Sequence, residues 1–336
     1  MKASMYAQKK ILIIGGTGTI GRYLTAELLL HNPSVIRIFS RDEYKQFEMQ
    51  QEFQEYKNIR YLIGDVRDEN RLLRAMEEID YVFHLAAMKH VPACEYNPFE
   101  AVQTNVLGTQ NVIQCALTMG VKKVLFTSTD KAIAPTNTYG ATKLTAERLI
   151  SAAQYQKGPK HTIFSSVRFG NVMGSRGSVI PLFLKQMKEK GKVTVTDKSM
   201  LRYMMTPTQA ISLMLEANEM AQGGEVFVLK MPIIKLSDLI EVLVEEVTKK
   251  CLISSKVEIQ QIGLRPGEKM YEELMTEDEI RIAHEMENMY IINSPYAGRA
   301  YYKETYPIQH IPTVSYEEAI DKEMLREWIL REQLIK

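Results

Sequence analysis

The chain has 336 residues, 45% hydrophobic and 25% charged, with 18 Gly and 12 Pro; this accommodates one large α/β domain plus a smaller lobe and excludes a disordered or fibrous protein. Forty-two basic against 41 acidic side chains leave a net charge of +1, so no overall field draws the chain to nucleic acid or a membrane, and an anionic ligand must be met locally. Cys94, Cys115 and Cys251 are odd in number and lack CxxC spacing, which argues against a disulfide framework or a metal site and fits a reducing cytoplasm.

The polar start from Met1 to Lys10 and the short apolar run Ile11 to Ile14 read as neither a signal segment nor a membrane span. From residue 9 to 167, short apolar runs alternate with stretches of helical period, which predicts repeated βα units and a parallel sheet. Strands are expected near 9–14, 35–39, 60–63, 81–85, 123–127 and 162–167, with helices such as Tyr23 to Leu30 and Pro98 to Met119 on the sheet faces. That is a doubly wound α/β domain over 1–170. A lobe over 171–290 follows, with some segments returning to the sheet, and Pro181, Pro207, Pro232 and Pro266 punctuate its shorter elements. Glu268 to Asn288, rich in Glu with interspersed Met and Ile, reads as a solvated amphipathic helix. The extension over 291–336 carries helical spacing around Trp328 and is a candidate for packing on a partner subunit or on its own chain.

Within this frame, Lys10-Ile-Leu-Ile-Ile-Gly15-Gly16-Thr17-Gly18-Thr19-Ile20-Gly21 is a buried strand turning through glycines into a helix. Gly15 permits the tight turn, Gly18 lets backbone approach a pyrophosphate and Gly21 allows close helix packing, while the helix N-terminus supplies free amides. The cradle therefore predicts a dinucleotide, with Thr17, Thr19 and Ile20 completing it. At the end of the second strand, where an NAD enzyme would place a carboxylate, stand Ser40 and Arg41, with Lys45 a turn further on. A hydroxyl and cations suit a 2′-phosphate, so NADP is expected over NAD, although Asp42 counts the other way. Asp65, at the end of the third strand, either accepts from the adenine amino group or caps the next helix; Val66 and Ala86 belong to the same cofactor set.

The strand Lys123 to Thr127 runs into Ser128-Thr129-Asp130-Lys131, and a helix begins near Tyr139-Gly-Ala-Thr-Lys143. Tyr139 and Lys143, four apart, share a helix face, which predicts an amine beside a phenol and a lowered phenol pKa. Tyr139 then serves as base toward a sugar hydroxyl, Lys143 holds the nicotinamide ribose and Thr129 shares the hydroxyl's proton.

These residues resemble the extended short-chain dehydrogenase/reductase family, over residues 9 to about 275. More narrowly, His84-Leu-Ala-Ala-Met-Lys89-His90-Val-Pro92, Ser128-Thr-Asp-Lys131, Arg168-Phe-Gly-Asn171 and Gly174-Ser-Arg-Gly-Ser178 resemble the UDP-N-acetylglucosamine 4,6-dehydratases of bacterial surface-glycan pathways. The resemblance implies Lys131 as base toward C5 and Asp130 as acid for the departing C6 hydroxyl. The Asp-Lys order, where configuration-retaining dehydratases have Asp-Glu, points to the C5-inverting branch that serves pseudaminic and related nonulosonic acids. It also implies Lys89, Asn171, Val179, Arg202, Arg265 and Glu268 as contacts to a UDP-sugar, and a homo-oligomer, dimer or hexamer. A UDP-sugar 4-epimerase is the alternative, and a non-catalytic NADP sensor is the alternative of another class.

Overall fold

A computed structural model describes residues 4–250, 257–294, 302, 305–308 and 314–335; Cys251 and most of 295–313 lie outside the described residues. The strand β1 (Lys10–Ile14) turns into α1 (Thr19–Leu30), followed by β2 (Val35–Ser40), α2 (Glu43–Glu52), β3 (Ile59–Ile63), α3 (Glu69–Met76) and β4 (Tyr81–His84). Two short helices, α4 (Val91–Tyr96) and α5 (Pro98–Ala101), pass through a π-helical turn at Val102–Leu107 into α6 (Gly108–Met119). Then come β5 (Lys123–Thr127), a 3-10 turn at Asp130–Ala132, α7 (Thr138–Gln156) and β6 (Ile163–Arg168). The second half holds β7 (Asn171–Val172), α8 (Val179–Lys190), β8 (Lys192–Val195), β9 (Leu201–Met205), α9 (Pro207–Met220), β10 (Val226–Leu229) and β11 (Ile233–Lys235). It ends with α10 (Leu236–Lys249), β12 (Glu258–Gln261), α11 (Glu277–Ile282), β13 (Ala283–Glu285), β14 (Met289–Ile292), β15 (Tyr306–Pro307) and α12 (Lys322–Arg331).

Among the described residues the main sheet has ten strands, in the order β15-β13-β14-β10-β6-β5-β4-β1-β2-β3. The strands β1 to β6 and β10 pair in parallel, and helices cover both faces, which is why Ile11 to Ile14 are apolar without alternation and fully buried. The order reverses between β1 and β4, and the crevice this opens at the strands' carboxyl ends is where such sheets take ligands. The expected doubly wound sheet is therefore the fold, extended by three antiparallel strands.

Two of those added strands fall in or beside the stretch read as one amphipathic helix. Only Glu277–Ile282 of Glu268 to Asn288 is helical, started by a capping box between Thr276 and Glu279. The chain then passes into β13 and β14, whose Met289 to Ile292 pairs with β10 and is wholly buried. Pairing with a distant strand overrides local helical period here.

The smaller lobe joins a three-stranded sheet β11-β9-β7 and the pair β12-β8 to α8, α10 and α12. Its core collects Phe183, Met187, Leu239 and Leu243, and Leu325, Trp328 and Ile329 of α12 bury in that same core.

Candidate active site

The glycine turn after β1 is obligatory on steric grounds. Gly15 has φ +81, and a Cβ there would lie 2.7 Å from the Ala86 nitrogen, while one on Gly21 would lie 2.3 Å from the Gly16 carbonyl oxygen. Only glycine lets this turn approach the end of β4 and lets α1 close on its own entry. The turn floors a cleft of about 480 Å³, and every expected cofactor residue from Gly15 to Ala86 lines it. Its cradle of free amides at the start of α1, its length and its flanking cations fit a dinucleotide.

At the far end of the cleft Ser40 exchanges a hydrogen bond with Thr17 at 2.9 Å. Arg41 is 62% exposed and lies 3.7 Å from Asp65. Lys45 is paired with Asp42, whose carboxylate also caps α2 by accepting from the Lys45 amide at 3.0 Å. Lys45, Arg41 and Arg176 all line this cleft, each beside a carboxylate, Asp42, Asp65 and Glu48 respectively; Arg176, which the sequence did not single out, lies in the Gly174 to Ser178 motif. Asp65 is committed to Arg67, which donates to it through Nη2 at 2.8 Å and through its backbone amide at 3.0 Å. Burial raises the Asp65 pKa, but Arg67 and Arg41 outweigh it and hold the carboxyl below its ordinary value. The cap of α3 is Asp68, so the capping role expected for Asp65 falls away, while Asp65 lines the cleft and anchors its own turn through Arg67.

A second cleft, of about 350 Å³, adjoins the first, sharing Ile20, Leu85, Ala87, Lys89, His90 and Ser175. Thr129, Lys131, Tyr139 and Lys143 line it. The strand β5 delivers Thr129, the 3-10 turn presents Asp130 and Lys131, and α7 brings Tyr139 and Lys143. Asn137 caps α7 by accepting from the Gly140 amide at 2.8 Å. A Cβ on Gly140 would lie 2.1 Å from the Lys131 carbonyl oxygen, so this glycine sets the approach of α7 to the turn.

Asp130 is fully buried. Its Oδ1 accepts from Thr129 Oγ1 and from Lys131 Nζ, each at 2.9 Å, while Oδ2 has no protein partner. Burial penalises the Lys131 ammonium, yet Asp130 and Glu272 outweigh it and raise its pKa. The lowered phenol pKa expected from the helical spacing is not what the structure gives: burial pushes Tyr139 up to about 12, opposed by Lys131 and Thr129.

The amine beside the phenol is thus Lys131, where the helical spacing had predicted Lys143. Lys143 instead turns inward, donating to the Thr127 carbonyl at 2.5 Å and lying 3.9 Å above the Phe126 ring. Burial lowers its pKa to about 7, against the pull of Glu147.

Of the expected substrate contacts, Lys89, Asn171 and Glu268 line the second cleft. Val179 begins α8 and packs against the lobe core. Arg202 donates to the carbonyls of Leu201, Met270 and Lys269 at 2.7 to 2.8 Å, which makes it a clamp on the segment around 270. Arg265 is exposed on the loop after β12, where its backbone amide donates to Glu268 at 3.1 Å.

The sequence reading missed three further groups that shape the site. Glu272 approaches Lys131 at 3.7 Å. Asn105 brackets the loop after β4, accepting from the Met88 amide at 2.8 Å and donating to its carbonyl at 3.0 Å. Arg168, without exposed surface, forks onto both Glu147 and Glu279. The Arg168 motif was visible in the sequence, but its partners were not.

Residues 11–294 match the family described as "Polysaccharide biosynthesis protein". The chain belongs to that family. Two named activities are among those of the relatives it resembles. It is 44% identical to "UDP-N-acetylglucosamine 4,6-dehydratase (inverting)" of Campylobacter jejuni, over 86% of this chain and 84% of the relative. It is 42% identical to "UDP-glucose 4-epimerase" of Rickettsia massiliae, over 88% and 85%. An "Uncharacterized membrane protein MJ1061" of Methanocaldococcus jannaschii is 51% identical over 86% and 87%. Among the described residues of this chain, no helix is long and apolar enough to cross a membrane. The X-ray structure of Pen from Bacillus thuringiensis is 57% identical, with a TM-score of 0.92 over 98% of this chain and 99% of that one.

Proposed function

We propose that this family member is a UDP-N-acetylglucosamine 4,6-dehydratase of the C5-inverting type, a hydro-lyase working with NADP in surface-glycan or nonulosonic acid synthesis. The observation that carries the reading is the Asp130–Lys131 pair: Lys131 lines one cleft with Tyr139 and Thr129, and the fully buried Asp130 accepts from it at 2.9 Å. Oxidation at C4 alone needs one base. An acid and a second base next to it suit elimination of water. The 44% relative named for this reaction supports the same conclusion.

Bound NADP would take the C4 hydride and later return it to C6, or to C4 with a 5,6-ene left in the sugar. Tyr139 receives the C4 hydroxyl proton, helped by Thr129. The C4 ketone acidifies the C5 proton, which passes to the Lys131 amine as the C5–C6 double bond forms. The C6–O bond breaks, and the hydroxyl leaves as water with the Asp130 proton. Lys89 and Asn171 line the sugar side, Arg265 takes the diphosphate and Glu268 the uridine ribose. Arg41 and Arg176 supply the charge for a 2′-phosphate. The homo-oligomer and the cytoplasmic setting belong to the same proposal.

A 4-epimerase reading is favoured by the 42% relative, but it leaves Asp130 and Lys131 without a task. The sensor reading leaves the half-buried Tyr139 and the buried Lys143 without one. Incubating the protein with UDP-N-acetylglucosamine in deuterated water separates the three. The dehydratase gives loss of water, with deuterium at C5 of a 4-keto sugar or vinylic C6 protons. Unchanged mass with a new C4 epimer would establish the epimerase, and no conversion of any UDP-sugar with NADP supplied would favour the sensor.

A further inference from the structure

Opposite the Asp130–Ala132 turn, the smaller lobe contributes a carboxylate that the steps above leave unused. Glu272 is 6% exposed and its Oε1 lies 3.7 Å from Lys131 Nζ. It sits outside regular structure, between β12 and α11, on a loop that is tied down on both sides. Before it, Arg202 of β9 donates to the carbonyls of Lys269 and Met270 at 2.8 and 2.7 Å, and Lys269 Nζ donates to the Ile133 carbonyl at 3.0 Å. After it, Arg168 Nη1 of β6 donates to the Leu274 carbonyl at 2.8 Å. The Lys269 contact reaches the residue that follows the 3-10 turn, so the loop is registered against the turn that presents Lys131. Burying a carboxylate is costly unless a cation lies beside it, and the cation acting on Glu272 most strongly is Lys131, ahead of Arg202 and Lys269.

Lys131 accordingly stands between two carboxylates, Asp130 and Glu272, with Tyr139 the further titratable group acting on it. With both carboxylates ionised, the attraction keeps it an ammonium, which cannot take a proton from carbon. We propose that Glu272 is a positioning residue for the C5 proton transfer: at 3.7 Å from Lys131, and alongside Asp130 at 2.9 Å, it biases the charge of that lysine, favouring the ammonium when ionised and the amine when it carries a proton itself. In the working state the three groups hold two protons, one on Asp130 for the departing hydroxyl and one on Glu272. Lys131 holds none. Burial pushes the Glu272 carboxyl above its ordinary value, against the pull of Lys131, which agrees with that distribution. The inference rests on the dehydratase reading.

Glu272→Gln keeps the shape and removes the charge, and Glu272→Asp keeps the charge at a greater distance. Water loss from UDP-N-acetylglucosamine and deuterium entry at C5 would be followed against pH in the wild type and both variants. The ascending limb, where Lys131 becomes an amine, is expected to move to lower pH by about one unit or more in Glu272→Gln, with Glu272→Asp between it and the wild type. Cofactor reduction in the first turnover, which Lys131 reaches only through Tyr139, shifts less with pH than deuterium entry at C5. A limb that stays in place in whichever variant folds, including one whose rate falls equally at every pH, would overturn the proposal. A wild type that turns over substrate without losing water would sink the dehydratase reading instead, and this inference with it.

Discussion

Replacing Arg168 by Met gives the sharpest test of how the site is held together. Arg168 has no exposed surface, and Glu147 and Glu279, its partners at 2.7 and 2.9 Å, are 0% and 8% exposed in their side chains. Four charge-assisted contacts and the bond to the Leu274 carbonyl disappear with the guanidinium. Orphaning a buried charge by removing its partner costs about 3–5 kcal/mol, a third or more of the stability of a domain that has about 10. The pH dependence supplies a second reading. In the wild type, burial raises the Glu279 pKa, but Arg168 outweighs it and the net shift is downward. Its contribution is therefore present above the unfolded value near pH ~4.3 and is lost as pH falls through the depressed folded value. In Arg168→Met the burial that raises the Glu279 pKa is opposed only by the Thr276 amide and Arg148, so this carboxyl favours its protonated form and stability rises as the pH is lowered from about 7 to 5. Urea denaturation at those two pH values measures both effects. A loss under about 1 kcal/mol at neutral pH, or a pH slope of wild-type sign, would refute the reasoning. Adding Glu147→Gln and Glu279→Gln to the variant should recover much of the loss, since neutral partners need no cation.

Three further outcomes follow from the same geometry. Tyr139→Phe is expected to lower turnover of UDP-N-acetylglucosamine by about 10²–10⁴-fold with no change in the urea midpoint; wild-type turnover in the variant would remove Tyr139 from the chemistry. Arg41→Ala is expected to weaken NADP by about tenfold or more relative to NAD, the value of one charge-assisted hydrogen bond, as titrated by fluorescence. Equal weakening of both would deny Arg41 a 2′-phosphate. Gly15→Ala forces a side chain to φ +81 and against the Ala86 backbone, at a backbone cost of about 1–2 kcal/mol before the clash. Thermal unfolding should fall and NADP affinity with it, and a variant that binds NADP normally would show that the turn can relax.

What was legible in the sequence was what local pattern controls. The run at 11–14 is apolar because both sheet faces are covered, and 35–39 is apolar but for Arg37. The glycine turn lies within the β1–α1 connection and the set from Thr129 to Lys143 within the β5–α7 connection, so each was legible as a local pattern, and the parallel sheet brings both to adjoining clefts at its carboxyl edge. Pattern failed where a distant segment decided the outcome. Met289 to Ile292 became a strand because β10 was there to pair with it, and Arg202 found its acceptors 67 and 68 residues away.

The lysines show the same limit at the scale of a single side chain. Spacing of four correctly put Lys143 on the Tyr139 face of α7, but it does not say which way the amine points. The Thr127 carbonyl and the Phe126 ring, both from the neighbouring strand β5, draw it to the floor of the cleft. Lys131 has no periodic relation to Tyr139 and yet is the amine that acts on it. Its own charge is biased by Asp130 beside it and by Glu272 from the other lobe. The protonation state on which the proposed elimination depends is therefore a property of how the lobe closes on the sheet, and the two arginines that fix the Glu272 loop, Arg168 and Arg202, govern the chemistry without lining the cleft where it would occur.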